Sequence, residues 1–218
     1  MDTTLIYGIE IIGTIAFAWS GAMVGIRKNL DIFGVIVLGM VTAVGGGVVR
    51  DLLLGLTPPN VFLNPSYAVV AFLTGLLLFL TVYWKQKTLE SLTAVRYERV
   101  VNFCDALGLG IFAVVGVYAG YAQGHTNRFF LVFLGIITGI GGGMMRDIMA
   151  GEMPFVLYKR VYAVAAIAGS FIAVLLMPYH LYLASAAGTL ATILIRLLAT
   201  HYCWDLPRAI REPQEEGR

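Results

Sequence analysis

The chain has 218 residues, of which 59% are hydrophobic and only 13% charged, whereas charged residues make up about a quarter of a soluble domain, so water is excluded as its main solvent. A net charge of +2, with basic residues gathered in loops rather than along a helical stripe, excludes a nucleic-acid partner on electrostatic grounds. Cys104 and Cys203 have no metal-ligand spacing, and no CxxC or HExxH pattern occurs, which argues against a zinc or redox enzyme.

In chain order, Met1-Asp2-Thr3-Thr4 lacks the positive region of a secretory signal and runs straight into an apolar stretch, predicting a retained first span. A bilayer core needs roughly 20 apolar residues per helix. Seven stretches qualify, at 5–26, 32–56, 67–84, 100–121, 129–150, 161–178 and 181–199, and aromatic residues suited to headgroups lie at several ends. The expected class is therefore an all-α integral membrane protein with the lipid bilayer as its solvent. Alternating the loops puts Arg27, Lys28, Lys85, Lys87, Arg96, Arg99, Lys159, Arg160, Arg208, Arg211 and Arg218 on one face and leaves only Arg128 on the other. The positive-inside tendency makes the basic face cytoplasmic, with the N-terminus outside, the C-terminus inside and both cysteines reduced. The segment from Trp204 onward is polar and short, and is expected to be mobile.

The chain repeats itself. Residues 17–25 (FAWSGAMVG) match 112–120 (FAVVGVYAG) at an offset of 95, and 45–51 (GGGVVRD) match 141–147 (GGGMMRD) at 96. Gly39, Thr42, Gly55 and Pro58 pair with Gly135, Thr138, Gly151 and Pro154; Tyr67 pairs with Tyr162, and Glu10 with Asp105. Each unit holds three spans, an odd number, so the second must enter the membrane from the opposite side. This divides the chain into a first three-helix repeat at 1–89, an inverted second at 90–178, a seventh helix at 179–203 and a polar tail at 204–218.

Three glycines in a row, Gly45, Gly46, Gly47 and again Gly141, Gly142, Gly143, each cost about 1 kcal/mol of helix propensity relative to alanine. Two uses fit. The triplets break their helices and line a watery path with freed carbonyls, or they let helices pack closely; both uses can coexist. The Arg50-Asp51 and Arg146-Asp147 pairs that follow are ionisable groups at membrane depth, read either as structural ion pairs or as part of a path. Adjacent helical residues do not face each other, so Arg50 and Asp51 need not pair, and partners are sought further along the chain, Arg50 with Glu10 and Arg146 with Asp105. Glu10 and Asp105 place negative charge near opposite ends, an arrangement that attracts cations. Among the hydroxyls Ser20, Thr42, Thr74, Thr138 and Ser170, which in membranes commonly bond to backbone, Thr42 and Thr138 stand out beside the triplets. Arg196, His125 and His180 have no repeat mate and read as interfacial. No serine, cysteine or histidine has the company needed for nucleophilic catalysis, so no enzyme and no cofactor are expected.

The paired GGGxxRD motifs resemble bacterial members of the trimeric intracellular cation (TRIC) channel group, whose relatives are also grouped as a glycine-transporter domain family. The resemblance covers about residues 5 to 200. It implies a homotrimer in the bacterial cytoplasmic membrane, with a pore in each protomer lined by glycine-broken second and fifth spans. It also implies passive permeation of monovalent cations, chiefly potassium, with no resident metal beyond transient potassium or sodium. A secondary transporter of glycine or a similar small zwitterion is the alternative, with the triplets offering helix N-termini to its carboxylate; a purely structural role for the glycines is a third. On the pore reading, Gly46→Leu and Gly142→Leu fold and lose current, and alanine has a partial effect.

Overall fold

A chain that crosses lipid must satisfy its own backbone, and a single apolar segment does so only as a helix. The computed structural model describes residues 3–84, 94–158 and 161–204. The described residues form nine helices and no strand: α1 (Thr3–Arg27), α2 (Ile32–Leu53), α3 (Asn60–Leu63), α4 (Ser66–Trp84), α5 (Ala94–Ala122), α6 (Arg128–Met149), α7 (Phe155–Tyr158), α8 (Tyr162–Leu176) and α9 (Leu181–His201). Six are long and apolar enough to span a bilayer. The basic residues 85, 87, 159, 160, 208, 211 and 218, and the tail from 205, lie outside the described residues.

The span expected at 161–178 is the outlier, a helix of 15 residues. At 1.5 Å per residue it covers about 22 Å, short of the roughly 30 Å hydrocarbon core. It can be short because it lies against α5, α6 and α9, with Ala165, Ala166, Gly169, Ser170 and Ala173 buried, instead of standing alone in lipid. Conversely α5 begins at Ala94, before the apolar stretch at 100, because hydropathy does not register the polar turns ahead of it.

The same local rules build both halves. Asp31 caps α2 by accepting from the Gly34 N–H, and Asn127, its counterpart 96 residues on, caps α6 by accepting from Phe130. Both helices end alike. Gly55 (φ +71°) and Gly151 (φ +69°) adopt the left-handed conformation that closes a helix C-terminus, and their N–H groups bond back to Leu52 and Ile148.

α1 and α5 form the centre, each packed on its partner and on α2 or α6. Phe17 and Phe112, equivalent positions in the repeat, stack on each other with ring centroids 5.3 Å apart. A residue meets its own counterpart only on a two-fold axis, so the pseudo-two-fold relating the inverted units passes between these rings. α9 has no counterpart and packs against α5 and α8. On the basic face, Lys28 after α1 bonds Glu152 after α6 at 2.9 Å, bringing together two ends that the alternating topology assigns to one side.

Candidate functional site

α2 and α6 cross in antiparallel fashion at the triplets, and both run as uninterrupted helix through them. This corrects the expectation that glycine breaks the second and fifth spans. Lipid favours internal hydrogen bonding strongly enough to override the propensity penalty, and the glycines serve approach instead. A Cβ on Gly46 would collide with the Thr138 carbonyl oxygen, and one on Gly142 with the Thr42 carbonyl oxygen. A Cβ on Gly141 would lie 3.1 Å from Gly46 Cα, and one on Gly45 would be 2.7 Å from Met145 Sδ. The third glycine of each triplet is different. Gly47 lines a cavity, its Cβ position 3.8 Å from Arg50 Nη2, while a Cβ on Gly143 would lie 3.1 Å from the Tyr162 hydroxyl.

Thr42 and Thr138 are buried and donate their hydroxyls to Leu38 and Leu134 in their own helices, each at 2.6 Å. They pack against Gly21 and Gly116 respectively.

One turn beyond the crossing, each helix carries its Arg-Asp pair. Contrary to the expectation drawn from helical geometry, the neighbours do pair: Arg50 Nε donates to Asp51 Oδ1 at 2.9 Å and Arg146 Nε to Asp147 Oδ1 at 2.8 Å. The reason lies in the second carboxylate oxygen. Asp51 Oδ2 accepts from the Asn60 N–H and Asp147 Oδ2 from the Phe155 N–H, both at 2.8 Å. Thus each aspartate is anchored to the returning chain near the helix end, where the long arginine can fold back to it.

The two half-sites then diverge. Arg146 Nη1 bonds Asp105 Oδ1 at 2.7 Å, the partnership expected from sequence, and also the Ser20 hydroxyl, from the other repeat, at 2.8 Å. Both Arg146 and Asp105 are fully buried. The Tyr162 hydroxyl lies beside them, and the Arg196 guanidinium sits over the Tyr162 ring at 4.6 Å. Arg196 is 2% exposed, so the interfacial reading of this residue is corrected; a cation in the last helix is tolerated because an aromatic face and buried polar groups receive it.

In the other half no ion pair joins Arg50 to Glu10 among the described residues. Glu10 instead accepts the hydroxyl proton of Tyr67, whose ring lies 5.6 Å from that of Tyr7. Between Glu10, Arg50, Asp51 and Tyr67 remains a cavity of about 50 Å³, with the exposed Asn60 among its lining residues. That is room for a few waters. The tyrosines, Ser20's bond and Arg196 were not assigned to the site from sequence; the pairing of Tyr67 with Tyr162 was the one available signal for the tyrosines.

Comparisons place this geometry among known proteins. The family model described as Glycine transporter matches residues 7–83 and 102–178. The second segment starts 95 residues after the first, the offset of the repeat (102 − 7 = 95). A UPF0126 membrane protein of Deinococcus radiodurans is 38% identical over 93% of this chain and 91% of its own length. The UPF0126 inner membrane protein YadS of Escherichia coli K12 is 36% identical over 93% and 95%. Among solved structures, the TRIC channel orthologue of Rhodobacter sphaeroides superposes with a TM-score of 0.83 at 31% identity, covering 93% of this chain and all of that one (100%). A prokaryotic TRIC channel gives a TM-score of 0.84 at 33% identity over 93% and 99%.

Proposed function

The chain belongs to the glycine transporter family, and from that premise together with its likeness to solved TRIC cation channels we propose that it is a passive, potassium-permeable channel for monovalent cations. The observation that carries this reading is charge. The Arg50 half-site holds two carboxylates, Glu10 and Asp51, against one guanidinium, while in the other half Asp105 and Asp147 face Arg146, with Arg196 over the neighbouring Tyr162 ring. With all groups ionised, the Arg50 half-site has one negative charge in excess, which a monovalent cation balances and an anion worsens, whereas Arg196 brings the other half to neutrality. Cations occupy the Glu10 cavity first, pass beside the α2/α6 crossing along Gly47 and Gly143, and leave through the Asp105 cluster. By the same analogy the protein is a homotrimer in the bacterial inner membrane with one path per protomer.

The test is reconstitution of the purified protein in a planar bilayer with asymmetric potassium chloride. Unitary currents reversing near the potassium equilibrium potential are expected; saturable amino-acid counterflow without current defeats the channel. That second outcome belongs to the carrier reading, which one observation favours. Arg50 and Glu10 face one cavity unpaired with each other, as a zwitterion's carboxylate and ammonium require.

Basic loops alternate one-sidedly along the chain. Tags on Met1 and Arg218 are therefore expected to report outside and cytoplasm respectively. Protease protection in right-side-out and inverted vesicles checks this, and both tags on one side would break the odd-span topology.

A further inference from the structure

The repeat provides two half-sites with the same set of groups, yet one is packed shut and the other holds a cavity. We propose that Ser20 and Arg196, two residues outside the repeat's symmetry, act as positioning residues that hold the Arg146 half-site closed, making it the resting gate on the basic face. This deepens the channel reading and rests on it for the word gate; the closure itself does not.

The argument starts from what differs between the halves. Position 20 in α1 is a buried serine that accepts from Arg146 Nη1. Its equivalent in α5, at 20 + 95 = 115, is a buried valine, which offers Arg50 no acceptor. Arg146 is thus drawn into the bundle by two oxygens, Ser20 Oγ and Asp105 Oδ1, besides its own Asp147. Among the described residues, Arg50 makes its hydrogen bond and ion pair with Asp51 alone.

Tyrosine makes the second difference. Tyr162 is buried with the Arg196 guanidinium over its ring, whereas Tyr67 is half-buried and has a neutral ring, Tyr7, beside it. A cation over the ring face is attractive in a dry setting. It holds Tyr162 where its hydroxyl closes over Gly143, Arg146 and Asp105. Arg196 comes from α9, the helix without a counterpart, so among the described residues no equivalent helix brings a cation to Tyr67. Lys28 and Glu152 join two loops on this face as well.

Gly47 and Gly143 are equivalent positions, one facing the cavity and the other the closed cluster, so they report on the two half-sites directly. In a chain carrying Cys104→Ala and Cys203→Ser, Gly47→Cys and Gly143→Cys are labelled separately in proteoliposomes with a small charged methanethiosulfonate. The position-47 thiol is expected to react at least about tenfold faster. Adding Ser20→Ala or Arg196→Met is expected to speed labelling at 143 by about tenfold, the scale of one lost charge-assisted hydrogen bond, and to leave 47 unchanged. Should Ser20→Ala misassemble on gel filtration, Val115→Ser serves in its place: an acceptor offered to Arg50 should slow labelling at 47.

Equal rates at the two positions in the parent, or no acceleration at 143 in assembled variants, overturns the proposal. Damaged packing in general would speed both positions together, which also overturns it. The labelling does not depend on current. A protein that shows this pattern without conducting loses the channel reading and keeps the asymmetric closure; one that conducts without the pattern loses only the closure.

Discussion

Gly46→Ala and Gly142→Ala are each expected to destabilise the protein by about 3 kcal/mol or more, at or beyond the upper end for overpacking, and to reduce the yield of assembled protein. A methyl at either position overlaps a backbone carbonyl of the crossing helix, Thr138 or Thr42, and no rotamer change relieves a backbone clash. The helices themselves must separate. Gly47→Ala is the control: its Cβ lies 3.8 Å from a flexible arginine tip, and its effect is expected within about 0.5 kcal/mol. Thermal unfolding followed by gel filtration in detergent measures all three. Equal stability of the three variants would refute the tight crossing. The tight crossing thereby replaces the sequence-based expectation that alanine has only a partial effect on flux and that leucine variants fold and lose current.

Arg146→Gln is expected to cost about 3–5 kcal/mol, whereas Arg50→Gln should cost about 1 kcal/mol. Removing Arg146 leaves Asp105 and Asp147, both fully buried, as like charges without the guanidinium that bonds them both. Removing Arg50 leaves Asp51 anchored by the Asn60 N–H and Glu10 bonded to Tyr67, beside a cavity that admits water. Combining Arg146→Gln with Asp105→Asn should recover part of the loss, because the surviving carboxylate then faces neutral groups. Midpoints of unfolding for the four proteins decide the matter, and equal losses for the two arginine variants would contradict the difference in burial.

Hydropathy located the spans to within three residues, because lipid leaves an apolar segment no choice but helix; the exception is the one expected from 100, which starts six residues earlier, at Ala94 (100 − 94 = 6). The inverted arrangement was legible for a different reason: GGGxxRD occurs twice, and the repeat that carries it is three spans long, an odd number. What could not be read was how one glycine triplet divides its labour. Gly46 meets a backbone and Gly47 a cavity, yet as letters they are identical.

The Arg146–Asp105 bond was within reach of the alignment, since both positions had mates. Its failure to recur as Arg50–Glu10 was not. That difference follows from Ser20 against Val115, and from Arg196 arriving on an unmatched helix, neither of which an alignment of the two halves can register. The pairing of adjacent Arg and Asp was missed because helical periodicity places Cβ atoms and says nothing of a carboxylate tied down by a chain returning from outside the helix.

The stacked pair Phe17 and Phe112 bears on how the two halves can drift apart. On the axis, each ring is the other's environment, so a larger or smaller side chain in one half is felt at once by its twin, and change there must be matched. Three residues further along α1 and α5, Ser20 and Val115 touch different neighbours, so one can alter without disturbing the other. Identity between the halves is thus enforced along a line and relaxed away from it, and it is in the relaxed zone that a duplicated unit acquires a direction.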